Sequence, residues 1–174
     1  FVPSRGLGDV YKRQLLSSDF ENMTVQEKLI EQTGVIGEKL EIGSFERISS
    51  EFVGSYIHAG NKIATIVGLS NSFDGASEVA KNVSMQAAAM NPVALDESGV
   101  SKDVIEKEIE IAKDQLRAEG KPEAMLDNIA KGKLKKFFKE NTLVNQVFIK
   151  DNKLSVTDYV KSCLLYTSDA ADDL

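Results

Sequence analysis

The side chains that could do chemistry are few, and their spacing decides against most of it. His58 is the only histidine, so any serine–histidine–acid relay would have to be built on it. It falls where one strand-like run ends and its link begins, a structural or surface place. Cys163 is the only cysteine, which excludes an internal disulfide and a cysteine-built metal centre. Gly6 and Gly8 are the nearest approach to a phosphate loop, but no strand pattern precedes them and no helix pattern follows. Carboxylates crowd one segment, Glu106, Glu108, Glu110 and Asp114, and lysines another, Lys131, Lys133, Lys135, Lys136 and Lys139. Both series read as solvated helix faces, where acid/base chemistry has no anchor. No catalytic residue, metal ligand or cofactor is assigned.

The elements that would position these residues follow from changes of hydrophobic period. Thr24 opens a helix, with Glu27 three residues on as a capping box, and Val25, Leu29, Ile30 and Ile36 lie on one side before Gly37. Leu40, Ile42, Phe45 and Ile48 suggest an extended stretch, with Gly43 as its bulge. Two strands, Phe52 to His58 and Lys62 to Leu69, are joined by Ala59, Gly60 and Asn61 in a hairpin-type link. The second strand is apolar on both faces, which predicts a central position. A helix is expected from Ser77 to Met90, ended by Asn91 and Pro92.

Residues 101–140 have a different character. Ser101 caps a helix in which Ile105, Ile109, Ala112 and Leu116 recur at coiled-coil spacing. Gly120 stops it, and Pro122 suits the first turn of a second helix carrying Leu126, Ile129, Ala130, Leu134, Phe137 and Phe138. Together they predict an antiparallel coiled-coil helical hairpin projecting from the body, its acidic first arm and lysine-rich second arm letting opposite charges flank the seam. A strand from Leu143 to Ile149, a turn at Asp151 and Asn152, and a short helix capped by Ser155 return the chain to the body. The fold class is therefore α+β: antiparallel sheets packed with helices, with the coiled-coil hairpin inserted.

The chain has 174 residues and a net charge of -6. An acidic balance disfavours a main task of gripping phosphate backbones, and no apolar run approaches the roughly 20 residues of a membrane-spanning helix. A protein partner and a cytoplasmic setting fit best, with no nucleic acid and no membrane expected; a homodimer stays open. The two ends look foreign to the middle: residues 1–14 and 162–174 resemble cloning or adapter read-through and are expected to be disordered and dispensable. Between them lie a core segment at 15–100, the hairpin at 101–140, and a returning strand and helix at 141–161.

Four stretches carry a resemblance. MQAAAMNPVALD (85–96), NIAKGKLKKFFKENTLVNQVFIKD (128–151), GSYIHAGNKIATIVGL (54–69) and TGVIGEKLEI (33–42) are similar, in order, to segments of the translation elongation factor Ts family. That resemblance spans residues 24–161. It implies a sheet-and-helix core with a coiled-coil arm, and guanine-nucleotide exchange on the GTPase elongation factor Tu, achieved by protein binding without a cofactor or enzyme chemistry. Two positions depart from the family pattern: Ala64 stands where Gly is usual, and Gln86 where many members have His. The family's ubiquitin-associated-like domain and TDFVA motif do not precede residue 24; Asp19-Phe20 shares only two letters with the motif, so exchange is expected to fall below that of a complete factor. The expected contact residues are Ile63 and Ala64 on the second strand, Met85, Gln86 and Met90 on the following helix, and Gly120 and Lys121 at the arm tip. The alternative is an RNA-binding or other translation-associated module whose basic arm, Lys131 to Lys139, grips phosphates.

Overall fold

A computed structural model describes residues 5–169; positions 1–4 and 170–174 of the two foreign-looking ends lie outside the described residues. The chain divides into two units between Arg47 and Ile48, inside the segment 15–100.

The first unit opens with a helix, α1 (Arg5–Ser17), where disorder was expected. Tyr11, Lys12, Leu15 and Leu16 are half-buried at i, i+4 spacing, so one helical face runs through the 14/15 boundary. The glycine pair at 6 and 8 thus lies within a helix and makes no phosphate loop. Two short strands, β1 (Asp19–Phe20) and β2 (Met23–Thr24), pair antiparallel. Helix α2 (Val25–Ile36) then starts on the expected capping box: the Glu27 N–H donates to Thr24 Oγ1 at 3.2 Å and the Thr24 N–H to a Glu27 carboxylate oxygen at 2.7 Å. It ends at Gly37, whose φ of 78° is the left-handed cap that glycine adopts without strain. The inward face is Val25, Leu29 and Thr33, whereas Ile30 and Ile36 point to solvent. Residues 38–50 form no strand, and without a partner ladder Gly43 is not a bulge.

In the second unit β3 (Phe52–Ile57) and β4 (Ala64–Leu69) pair antiparallel, from Phe52 opposite Leu69 to Ile57 opposite Ala64. The link closes through His58 N–H to Ile63 O at 2.9 Å, with Gly60 and Asn61 both at positive φ. Among the described residues β4 has this single partner strand, so it is not central. Its inward residues Thr65, Val67 and Leu69 face helix α3 (Ala76–Met90), and the other face stays open. Val79 and Val83 of α3 form the core with Leu143, Phe148 and Val156. The strand pair sits so close to α3 that a Cβ on Gly54 would stand 2.4 Å from Ala80 Cβ.

Helix α4 (Lys102–Ala118), capped by Ser101, and α5 (Glu123–Asn141) pack on each other as a helical hairpin. Ala112, Leu116, Leu126 and Ala130 are its buried seam. At the turn Gly120 has φ 73°, and the Lys121 N–H donates to Leu116 O at 3.0 Å, closing the helix end. The ion pairs that cross the seam reverse the expected polarity: Lys113 of α4 meets Asp127 of α5 at 2.6 Å, and Arg117 meets Glu123 at 2.8 Å. Pairs that sum to a constant residue number mark antiparallel helices. Of the acidic and lysine series, Glu106, Glu110, Asp114, Lys131, Lys135, Lys136 and Lys139 are exposed, whereas Glu108 and Lys133 are half-buried and Lys133 donates across the seam to Gln115 Oε1 at 3.1 Å.

The return differs from a single strand over Leu143 to Ile149. A short 3-10 turn, Leu143–Asn145, leads to β5 (Val147–Phe148), which pairs with β6 (Asp151–Ser155). Asp151 therefore begins a strand, and the reversal falls at Ile149 and Lys150. The expected cap holds: the Asp158 N–H donates to Ser155 Oγ at 3.1 Å, opening α6 (Val156–Asp169). This helix runs past residue 161, and Val156, Tyr159, Val160 and Cys163 at i, i+3, i+4, i+7 all pack on the core. The second foreign-looking segment is thus anchored at its start by Cys163.

Candidate partner-binding site

Strand alternation builds the first patch. With Phe52, Gly54 and Tyr56 turned toward α3, the outer face of the hairpin carries Val53 and Ile57 from β3 and Ile66 from β4, exposed by 43%, 63% and 42%. Ile63, 46% exposed, and Ala64 extend it at the link. A full side-chain burial of this kind is worth about 1.5–3 kcal/mol for each aliphatic residue, so water-facing isoleucines at this density suit a surface that something covers. Ile57, Val53 and Ile66 were not singled out by sequence. The signal was present as apolar residues on both faces of β4, and it marks an uncovered face.

The second patch is on α3, and its three expected contacts separate. Met90 is 47% exposed and faces a cleft shared with Lys136, Lys139 and Glu140 of α5. Met85 is half-buried. Gln86 is fully buried: its Oε1 accepts from the Ile149 N–H at 2.8 Å, and its Nε2 donates to Val147 O and to Gln146 Oε1, each at 3.1 Å. With both ends of the amide used, Gln86 has nothing left for a partner.

The third patch is the arm tip. Gly120 and Lys121 are exposed, and Arg117 beneath them bridges Glu123 and Asp114, each at 2.8 Å. These acceptors, Glu123 first, raise the Arg117 pKa further above its ordinary value. Lys113 likewise holds the Asp127 carboxyl below the usual range. At about 1.5 Å per residue the 17 residues of α4 place the tip roughly 25 Å from its root, so tip and strand patch are separate contact zones.

Nothing in these zones is arranged for covalent chemistry. His58 is exposed and its Nδ1 lies 3.0 Å from Tyr56 OH; no acid or nucleophile completes a relay with it among the described residues. There too, no group of three His, Cys, Asp or Glu is placed to hold a metal ion, and no helix is long and apolar enough to cross a membrane.

Residues 9–166 match the family model described as Elongation factor TS. The chain belongs to that family. Among its relatives, the protein named Elongation factor Ts from Christiangramia forsetii is 68% identical over 151 residues, 87% of this chain and 55% of the relative. That of Flavobacterium psychrophilum is 67% identical over the same shares, and that of Amoebophilus asiaticus 50% identical over 82% of this chain and 52% of its own length. The chain thus spans about half the length of these relatives. The family match runs beyond 24–161 at both ends.

Proposed function

We propose that this chain is a guanine-nucleotide exchange factor that binds elongation factor Tu and promotes GDP release in the cytoplasm during translation. Membership of the elongation factor TS family over residues 9–166 carries the reading, and the uncovered apolar strand face supports it. Exchange of this kind needs no nucleophile. A partner that binds the nucleotide-free GTPase more tightly than its GDP complex lowers the affinity for GDP by the same factor, about 1.4 kcal/mol for each tenfold. The proposed contacts are Ile63 and Ala64 with Ile57 and Ile66 beside them, Met90 with the accessible part of Met85, and Gly120 and Lys121 at the tip. Gln86 belongs to the interior. Release of a fluorescent GDP analogue from elongation factor Tu should accelerate with added chain and saturate. Ile66→Asp, on an exposed position, should raise the half-saturating concentration about tenfold while leaving the fold intact. No acceleration at any concentration of the parent chain would end the proposal.

A further inference from the structure

Two buried side-chain amides link α3 to the last turn of α5. The roots of the arm are tied to each other by the backbone, Val93 N–H to Asn141 O at 2.9 Å and Leu143 N–H to Ala94 O at 3.0 Å. Those bonds join the outgoing and returning chains without reaching α3. The side-chain connection from α3 to the end of α5 runs through two fully buried amides. Gln86, on α3, donates to Gln146 Oε1 at 3.1 Å, and Gln146 Nε2 donates to Glu140 O, in the last turn of α5, at 3.0 Å. That carbonyl is one of the helix-end acceptors that has no partner within its own helix. The Ile149 N–H and the Val147 carbonyl fix which end of Gln86 is the oxygen, and this in turn fixes the orientation of Gln146. Leu143 also anchors the root in the core, and the Val156 N–H to Gln146 O bond at 3.0 Å and the Thr157 hydroxyl to Val144 O bond at 2.8 Å tie the returning chain to α6. The glutamine chain adds the link that runs from α3 to the end of α5 itself, and a buried chain of hydrogen bonds is satisfied at one geometry.

We propose that Gln86 and Gln146 are positioning residues that latch the helical hairpin at a fixed angle to the sheet-bearing body. Resting on the exchange reading, the latch pre-organises two separate contact zones for one partner: with the angle set in advance, the second zone engages at high effective concentration, and a swinging arm forfeits that gain.

The test measures the angle and the exchange separately. In a Cys163→Ser background, spin labels are placed through Lys121→Cys at the tip and Ser55→Cys on the outer strand face, and their distance distribution is recorded by pulsed electron resonance. The parent should give one narrow distribution. Gln146→Met, which leaves the bonds from Gln86 to Ile149 and Val147 in place, should broaden it at least twofold in the folded protein. Gln86→Met is the second variant should the first not fold. Val79→Ala, a core substitution with no bond to either glutamine, should lower stability and leave the width unchanged, and a merely structural role for Gln146 would make Gln146→Met behave in the same way. With elongation factor Tu, Gln146→Met should raise the half-saturating concentration for GDP release about fivefold and change the maximal rate less. An unchanged width in both glutamine variants, or a parent distribution already broad, overturns the latch. Failure of the parent to release GDP would overturn the exchange reading and leave the distance result to decide the latch.

Discussion

Gly54 marks the closest approach of the strand pair to α3, and replacing it with alanine tests that packing. A Cβ built there would lie 2.4 Å from Ala80 Cβ, 3.1 Å from the Ala80 carbonyl carbon and 3.3 Å from its Cα. Ala80 is fully buried in the middle of a helix, so the neighbour is no flexible side-chain end, and strand or helix must shift. Overpacking of this sort costs about 1–3 kcal/mol, while losing a strand glycine returns about 0.5–1 kcal/mol of backbone entropy. The net expectation for Gly54→Ala is a loss of about 1–2 kcal/mol, read as a lower urea midpoint with unchanged slope. Ala80→Gly alone should also destabilise, by about 1 kcal/mol for glycine within a helix. The double variant removes the 2.4 Å clash and leaves contacts that a shift of a few tenths of an ångström resolves, so it should be more stable than the sum of the two losses predicts. A Gly54→Ala protein as stable as its parent, or strictly additive losses, would refute the stated approach of β3 to α3.

Three further outcomes follow from single sites. Ser84 Oγ is buried and finds no hydrogen-bond partner among the described residues, so Ser84→Ala should hold or raise stability, by up to about 1 kcal/mol in thermal unfolding; a loss above that size would mean the hydroxyl is satisfied. Leu116 is 2% exposed in the hairpin seam, and Leu116→Asp should cost several kcal/mol there and open the arm. Circular dichroism should then show helix loss while the β3–β4 amides stay protected from exchange; simultaneous loss of both would join arm and body into one cooperative unit. Thr24, through its backbone and then its hydroxyl, holds the Glu27 carboxyl below its ordinary value of 4.5. Because the folded value is the lower one, the capping box contributes stability above the unfolded value, and that contribution is lost as pH falls through the folded one. The Thr24 amide shift, followed by NMR, should titrate below 4.5, and a midpoint at or above it contradicts the cap.

Local chemistry was legible wherever a bond closes within a few residues. The Thr24–Glu27 and Ser155–Asp158 boxes, the Ser101 cap, the Gly37 and Gly120 stops and the seam through Leu116 and Leu126 all stand as their residue types dictate. What was lost depends on distant partners. Two apolar faces on β4 look the same whether the rest of the fold or another molecule is to cover them, so the strand reads as central although its outer face, with Ile66, is exposed. Gln86 reads as a polar residue on a helix, and only the return of Gln146 and Ile149, 60 and 63 positions later, buries it. At the ends, unfamiliar composition suggested no element, whereas Tyr11 and Leu15 are half-buried on one face of α1 and Val156 to Cys163 pack on the core. Charge sign along an arm likewise says nothing about which residues meet, as Lys113 and Asp127 demonstrate.

The central claim is differential binding, and calorimetric titration of the chain into elongation factor Tu, once nucleotide-free and once loaded with GDP, measures it directly. Exchange activity requires tighter binding to the nucleotide-free form, and the ratio of the two dissociation constants must equal the factor by which saturating chain weakens GDP binding. A ratio of at least ten, about 1.4 kcal/mol, is the predicted result, whereas equal affinities for the two forms, or none for either, would contradict the account.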